Sequence, residues 1–175
     1  MASQSVVTPP GTRTGYDWTA RIRCIQSELG TNFSVFVFLG PIPKPPTDLI
    51  TSPNYVGSFD TYYDDASYSF AERRSQGGSS SGVLVQGFVN LSRALVKQGG
   101  FQTLEPENVV PYLKNNLNWC VEKSSGDRAD LHDLPSLEVM VLEVPLTLKP
   151  GDRIPQRGSP KEHADITHGK QGGAK

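Results

Sequence analysis

The chain has 175 residues and a formal net charge of -1, and 20% of its residues are charged. This length suits one domain that can bury a sizeable core, and the near-zero charge excludes the large basic surface that nucleic acids and anionic membranes require. No apolar run approaches the roughly 20 residues of a membrane span, and the N-terminus lacks the apolar segment of an export signal, so we predict a cytoplasmic location.

A polar arm over residues 1–15, predicted to be flexible, precedes the first predicted strand. Apolar residues then occupy every second position, which is the period of a strand with one buried face. These positions are Trp18, Ala20, Ile22 and Cys24. Arg21 and Arg23 share the opposite face, where they either point into a barrel and bind a phenolate or carboxylate, or pair with acidic residues at the surface.

The two cysteines, Cys24 and Cys120, are predicted to be buried and reduced, with a disulfide as the alternative.

Residues 33–39 are apolar at nearly every position and follow a Gly-containing turn, which predicts a central strand covered on both faces. A proline-rich segment over residues 41–46 then ends the sheet, because proline cannot donate a hydrogen bond to a neighbouring strand. Beyond it, residues 59–70 hold three of the six tyrosines. The Tyr and Asp side chains of this stretch either supply a proton donor and acceptor to a phenolic ligand or belong to a solvated loop.

The second half of the chain predicts further strands and two helices. Strands are predicted over residues 83–90, 117–123 and 137–148, and short helices over residues 91–97 and 105–115. The whole pattern predicts an all-β fold, a small antiparallel β-sandwich or barrel of about six strands with two short helices. This domain is expected to span residues 16–150, with an extended tail over residues 151–175.

Several short segments of the chain also occur, in the same order, in the C-terminal domain of fungal tyrosinases. They read YDW, ELGTNFSVFVFLG, SPNYVG, NVVPYLKNNLNW, DLPSLEV, PLTL and ITHG. The chain therefore resembles this shielding domain over roughly residues 16–169.

The resemblance implies a role beside a copper enzyme. In the family, the domain follows a dicopper catalytic domain and covers its phenol-binding cleft, which keeps the enzyme latent, and an aromatic side chain commonly takes the place of the phenolic substrate. Some members carry a CxxC pair linked to copper loading, and this chain has none. A paired copper site needs about six histidines, whereas the chain holds only His132, His163 and His168, so we predict no metal and no cofactor. The initial Met and the family-like tail predict a free-standing protein.

Two functions are compatible with the sequence. In the first, the protein is a cofactor-independent cyclase or isomerase of a phenolic or polyketide-derived secondary metabolite, which acts by positioning and acid–base catalysis. In the second, it is a non-catalytic shielding or chaperone module that covers the active site of a separate tyrosinase-like copper oxidase, with the loop from Tyr62 to Phe70 as the plug. The expected partners are accordingly a small phenolic molecule or such an oxidase, and a homo-oligomer is left open.

For the first function, the site residues follow from the unusual polar positions and the aromatic positions. The candidate catalytic residues are Arg21, Arg23, Asp60, Tyr62, Tyr63, Asp64 and Tyr68. The candidate pocket residues are Trp18, Phe36, Phe38, Phe88, Tyr112 and Trp119. Packing in the core is the simpler role for these six aromatic side chains.

Overall fold

The computed structural model describes residues 10–63 and 82–175, and in this part the chain folds into two antiparallel sheets with three helices. The strands are β1 (Arg13–Ile25), β2 (Phe33–Leu39), β3 (Tyr55–Asp60), β4 (Leu84–Asn90), β5 (Leu117–Lys123), β6 (Arg128–Ala129), β7 (Glu138–Leu148), β8 (Gln156–Arg157) and β9 (Lys161–His163). The helices are α1 (Ser92–Lys97), α2 (Pro106–Asn116) and α3 (Ala164–Thr167), and a 3-10 turn spans Leu131–Asp133. None of these helices is both long and apolar enough to cross a membrane.

The first sheet has the order β4-β1-β7-β8, with β9 also paired to β7, and the second has the order β3-β2-β5-β6. The main core lies between the two sheets. Every second side chain of β1, from Trp18 to Cys24, points into it and is fully buried. Val139 and Val141 of β7 lie opposite two of these positions, and the inner faces of β2 and β5 complete the core. The alternation in the sequence therefore reflects burial of one face of β1.

A second, smaller core explains why β2 is apolar on both faces. Phe38 points away from the main core but is fully buried, together with Leu49 and Cys120. Leu49 belongs to the proline-rich loop, which folds back over the outer face of the second sheet. The predicted central strand covered on both faces is thus confirmed.

The two sheets meet along the edge strands β3 and β4, and two glycines make this approach possible. A Cβ atom at Gly87 would lie 2.1 Å from the ring of Phe59, and one at Gly57 would lie 2.9 Å from the Val89 side chain. Cβ atoms in proteins essentially never approach another heavy atom within 3.0 Å, so a side chain at either glycine would push the two strands apart. The absence of Cβ atoms here lets the sheets curl into a half-barrel.

The predicted fold class is confirmed: the chain is mostly β, in two sheets, with few and short helices. Six strands have six residues or more, and the two predicted helices are present as α1 and α2. The segment predicted as an extended tail differs from that expectation, because β9 pairs with β7 and α3 packs beside it. His163 and Ile166 are buried there, so isolated anchoring residues hold a segment that is otherwise polar.

Candidate functional site

The site begins where β3 ends. Thr61 is buried, with 4% of its surface exposed, and it is held against the first residue of β2. The backbone N–H and the hydroxyl of Thr61 both donate to the Phe33 carbonyl oxygen, each at 2.9 Å, and the hydroxyl accepts from the Phe33 N–H at 3.2 Å. Tyr63 N–H then donates to the side-chain oxygen of Asn32. The chain on either side of Tyr62 is therefore fixed to the body of the domain.

Tyr62 itself points outwards, with 79% of its surface exposed. Two shallow grooves flank it. One, of about 310 Å³, runs past Phe36 and Gly126, and the other, of about 300 Å³, runs past Phe59 and Gln86. Tyr62 thus presents a large ring with a polar hydroxyl on a backbone that is fixed on both sides, which is the kind of aromatic side chain that interfaces use.

The groove along the second sheet is polar beside Tyr62. Asp60, Ser34 and Glu122 are neighbours across three strands, and the Ser34 hydroxyl donates to Asp60 at 2.6 Å. Glu122 lies 3.8 Å from the Arg128 guanidinium. Both carboxylates thus already have partners, which suits a polar rim around Tyr62 better than an acid–base pair.

The two arginines named from the sequence lie on the outer face of the first sheet. Arg21 bonds Glu162 at 2.7 Å and lies 3.5 Å from Glu138, while Arg23 donates to Gln86 at 3.0 Å. Their partners are residues of other strands of the same sheet, Gln86 on β4, Glu138 on β7 and Glu162 on β9. Gln86 also borders one groove beside Tyr62, so Arg23 is linked to that groove through one side chain.

The six aromatic residues named for a pocket are distributed over several places. Trp18 and Phe38 are fully buried in different cores, and Trp119 is 5% exposed. Phe36 and Tyr112 are half-buried, whereas Phe88 is 56% exposed on β4. The structure therefore does not bring these rings together around one cavity in the described residues. Asp64 and Tyr68, named as candidate catalytic residues, lie outside the described residues, and the catalytic roles remain predictions.

One polar pair was not singled out as a site from the sequence. The His163 ring bonds the Glu143 carboxylate at 2.5 Å, both side chains are 8% exposed, and the Trp18 ring lies 5.3 Å from the imidazole. The two residues lie on adjacent strands, His163 on β9 and Glu143 on β7, so the pair is a cross-strand contact. Glu143 is two residues after Val141 on β7, so the two side chains point to the same inner face, and this spacing is the signal in the sequence for its burial. The pair fastens β9 to the first sheet.

The thiols are free and buried, as predicted. Burial, with a smaller contribution from the charge of Glu28, raises the pKa of Cys24 to about 12, and burial raises the pKa of Cys120 to about 11. Both are therefore protonated at neutral pH and act as apolar packing groups. In the described ranges, no three His, Cys, Asp or Glu side chains are grouped so that they could hold a metal ion.

Comparison with known proteins decides the family. The model of the tyrosinase C-terminal domain matches residues 17–141. A tyrosinase of Neurospora crassa is 32% identical over 149 residues, which cover 83% of this chain and 21% of that protein. The chain belongs to the tyrosinase C-terminal domain family.

Solved structures agree with this family in fold. Recombinant mushroom tyrosinase superposes with a TM-score of 0.64 at 22% identity, over 89% of this chain and 26% of that one. A second mushroom tyrosinase structure, which contains latent and active forms in one crystal, gives a TM-score of 0.63 at 23% identity, over 89% of this chain and 26% of that one. The tyrosinase C-terminal domain described here thus spans about a fifth of the Neurospora relative and a quarter of the mushroom ones.

Proposed function

We propose that this domain covers the active-site cleft of a tyrosinase-like copper oxidase, and that the ring of Tyr62 enters the cleft. Membership of the tyrosinase C-terminal domain family supports a role beside such an oxidase, since in the Neurospora relative the matched region is one part of a longer tyrosinase. The observation that carries the proposal is the position of Tyr62, exposed at the end of β3. A tyrosine side chain is a phenol, so its ring has the size and polarity of the substrate that it would replace.

The fixed backbone around Tyr62 makes this role favourable. Thr61 is hydrogen-bonded to Phe33, and Tyr63 to Asn32, so the chain beside the ring is already ordered before docking. A pre-ordered segment loses less conformational entropy on binding than a free loop does. Burial of a large aromatic anchor in a partner's pocket commonly contributes 2 kcal/mol or more, which corresponds to about 30-fold in affinity.

The positions of the candidate catalytic and pocket residues support this function better than catalysis by the domain itself. A cyclase or isomerase needs a cavity that collects its acid, base and aromatic residues, and the described members of those sets lie on different faces. Arg21 is bound to two glutamates, and Trp18 is fully buried. Among the described residues, these contacts do not support the hypothesis of a cofactor-independent cyclase or isomerase.

The test is inhibition of an oxidase by the domain. A tyrosinase catalytic domain that lacks its own C-terminal region would be titrated with the purified 175-residue chain while oxidation of a simple diphenol is followed by absorbance. The wild-type chain should inhibit in a saturable manner. Tyr62→Ala should raise the inhibition constant by about 30-fold, because the ring is lost, while Tyr62→Phe should stay within about threefold.

Ile154 provides a matched control, because it is an exposed apolar residue with 78% of its surface accessible, far along the chain from β3. Ile154→Ala should inhibit like the wild type. Equal inhibition by the wild type and Tyr62→Ala would refute the assignment of Tyr62 as the plug. Absence of inhibition by the wild type would refute the shielding function.

A further inference from the structure

A groove of about 490 Å³ lies at the other end of β3, bordered by residues 55–58 of that strand, by Phe88 and by helix α1. It is larger than either groove beside Tyr62. The groove is at the Tyr55 end of β3, whereas Tyr62 follows the Asp60 end. The proposed shielding role of Tyr62 therefore does not use it.

The charge of this groove is entirely positive. Arg93 and Lys97 are four residues apart on α1, so they share one face of the helix, and both border the groove. Within the described residues neither side chain has a carboxylate partner, and no Asp or Glu borders the groove. The carboxylate of Asp17, on strand β1 beside β4, is already bonded to Asn90, Ser92 and Arg157. The two cations are therefore available to an acidic ligand.

The floor of the groove is an unpaired strand edge. Gly57 and Phe59 face Val37 and Val35 of β2, and Thr61 bonds Phe33 in the same register. Because hydrogen bonding alternates along an antiparallel pair, the backbone N–H and C=O of Ser58 point away from β2. No protein group in the described residues bonds them. Such an edge can accept another strand.

Part of this edge is already bonded within the chain. The side-chain amide of Gln98 donates to the Tyr55 carbonyl oxygen at 3.1 Å, which leaves the N–H and C=O of Ser58 as the open backbone groups. Phe88, 56% exposed, adds an apolar wall. The groove therefore combines a backbone edge, an apolar surface and two cations.

We propose that this groove binds an extended acidic peptide segment of a partner protein, which pairs with the edge of β3 at Ser58 and places its carboxylates against Arg93 and Lys97. Guanidinium and ammonium groups are matched to carboxylates, and the free N–H and C=O of Ser58 provide one pair of main-chain hydrogen bonds. Alternating side chains of the added strand would contact Phe88.

The probe is a fluorescein-labelled peptide of sequence Glu-Val-Glu-Val-Glu-Val, with binding to the full chain measured by fluorescence anisotropy. Saturable binding is expected. The Arg93→Gln/Lys97→Gln double variant should bind at least about tenfold more weakly, because two charge-assisted contacts are lost. A peptide N-methylated at both of its two middle residues should bind several-fold more weakly, since it lacks the N–H that would pair with the strand edge. Raising the salt concentration should weaken binding further.

Lys149→Gln/Arg153→Gln is the matched control, because it removes the same two charges from exposed residues away from the groove. It should bind the peptide like the wild type. Equal loss in both double variants would show only general attraction to charge and would overturn the proposal. So would no binding by the wild type, or equal binding of a Lys-Val-Lys-Val-Lys-Val peptide. Retained oxidase inhibition by Arg93→Gln/Lys97→Gln would show that the two surfaces act separately.

Discussion

The two ends of strand β3 present opposite kinds of surface. At the Asp60 end the chain displays one aromatic ring, Tyr62, on a backbone fixed by bonds to β2. At the Tyr55 end the strand recedes into a groove with an open backbone edge and two cations. The first end matches the proposed entry of Tyr62 into a partner's cleft, and the second matches the proposed binding of a partner's strand. The two proposed interaction surfaces on this short edge strand therefore differ in chemistry, so substitutions can separate them.

The largest effect should come from the contact on which both ends depend. Gly87→Ala would place a Cβ atom 2.1 Å from the Phe59 ring and force β4 away from β3. Overpacking of this kind typically lowers the free energy of unfolding by about 1–3 kcal/mol. Urea denaturation measures this loss, and both oxidase inhibition and peptide binding should weaken.

Gly15→Ala is the control for this change, because Gly15 also lies in a strand but nothing is within 4 Å of a Cβ atom there. It should leave stability unchanged or slightly raised. If Gly87→Ala is as stable as the wild type, the glycine does not govern the approach of the two sheets.

A substitution at Thr61 should affect the Tyr62 end more than the groove. Thr61→Val removes the hydroxyl that bonds both the N–H and the C=O of Phe33, which leaves buried polar groups less satisfied. The expected loss is about 1–2 kcal/mol of unfolding free energy. Inhibition of the oxidase should weaken, because the support of Tyr62 is loosened, and peptide binding should persist. The half-buried Thr31 is the control, because its hydroxyl contacts only the Ser124 hydroxyl in an exposed pair, and its replacement by Val should cost little.

A smaller and complementary effect is expected from Asp17, which supports the first residue of α1. Burial would raise the pKa of Asp17, but hydrogen bonds from Ser92, Arg157 and Asn90, with the charge of Arg157, lower it overall below the ordinary 3.8. A lowered folded pKa means that the ionised group stabilises the fold above about pH 4 and that this contribution is lost as the pH falls through the folded pKa.

Asp17→Asn should therefore lower the free energy of unfolding at neutral pH by up to about 1 kcal/mol, since the group is partly exposed to solvent. Its stability should also change less than that of the wild type as the pH falls below about 4. Thermal unfolding across this pH range measures both. Peptide binding should weaken a few-fold, with oxidase inhibition unchanged, and the reverse pattern would contradict the assignment of α1 to the groove.

The smallest effect concerns the thiols. Burial raises the pKa of Cys24 to about 12 and that of Cys120 to about 11, so both thiols are overwhelmingly protonated at pH 8. Native protein should therefore react very slowly with maleimide, and Cys120, under the loop beside the Tyr55 end, should react before Cys24. Rapid labelling of Cys24, followed by mass spectrometry, would show that the main core opens readily.

Much of the fold was predictable because it follows from burial with a simple period. The alternation from Trp18 to Cys24 and the continuous apolar run of β2 both predicted strands correctly. An alternating pattern indicates a strand with one face buried in the core, and a continuous apolar run indicates a strand buried on both faces. The strand β5 was predicted with its observed bounds, residues 117–123. Local composition was sufficient wherever a whole element shares one environment.

The last 25 residues were not predicted in this way, for a physical reason. Their anchors, His163, Ile166 and Thr167, are single buried positions in a polar, Gly-rich segment, and Thr167 binds the Val139 carbonyl oxygen at 2.7 Å. No period marks such contacts. The groove was missed because Arg93 and Lys97 resemble an ordinary solvated helix face until β3 is seen beside them.

The central claim is that Tyr62 occupies the place of a phenolic substrate. The most direct measurement is the mode of inhibition of a tyrosinase catalytic domain by the wild-type chain, determined at several concentrations of a diphenol. The account predicts competition, so that the apparent inhibition constant rises in proportion to the diphenol concentration above its KM. An inhibition constant that does not change with diphenol concentration would contradict the account.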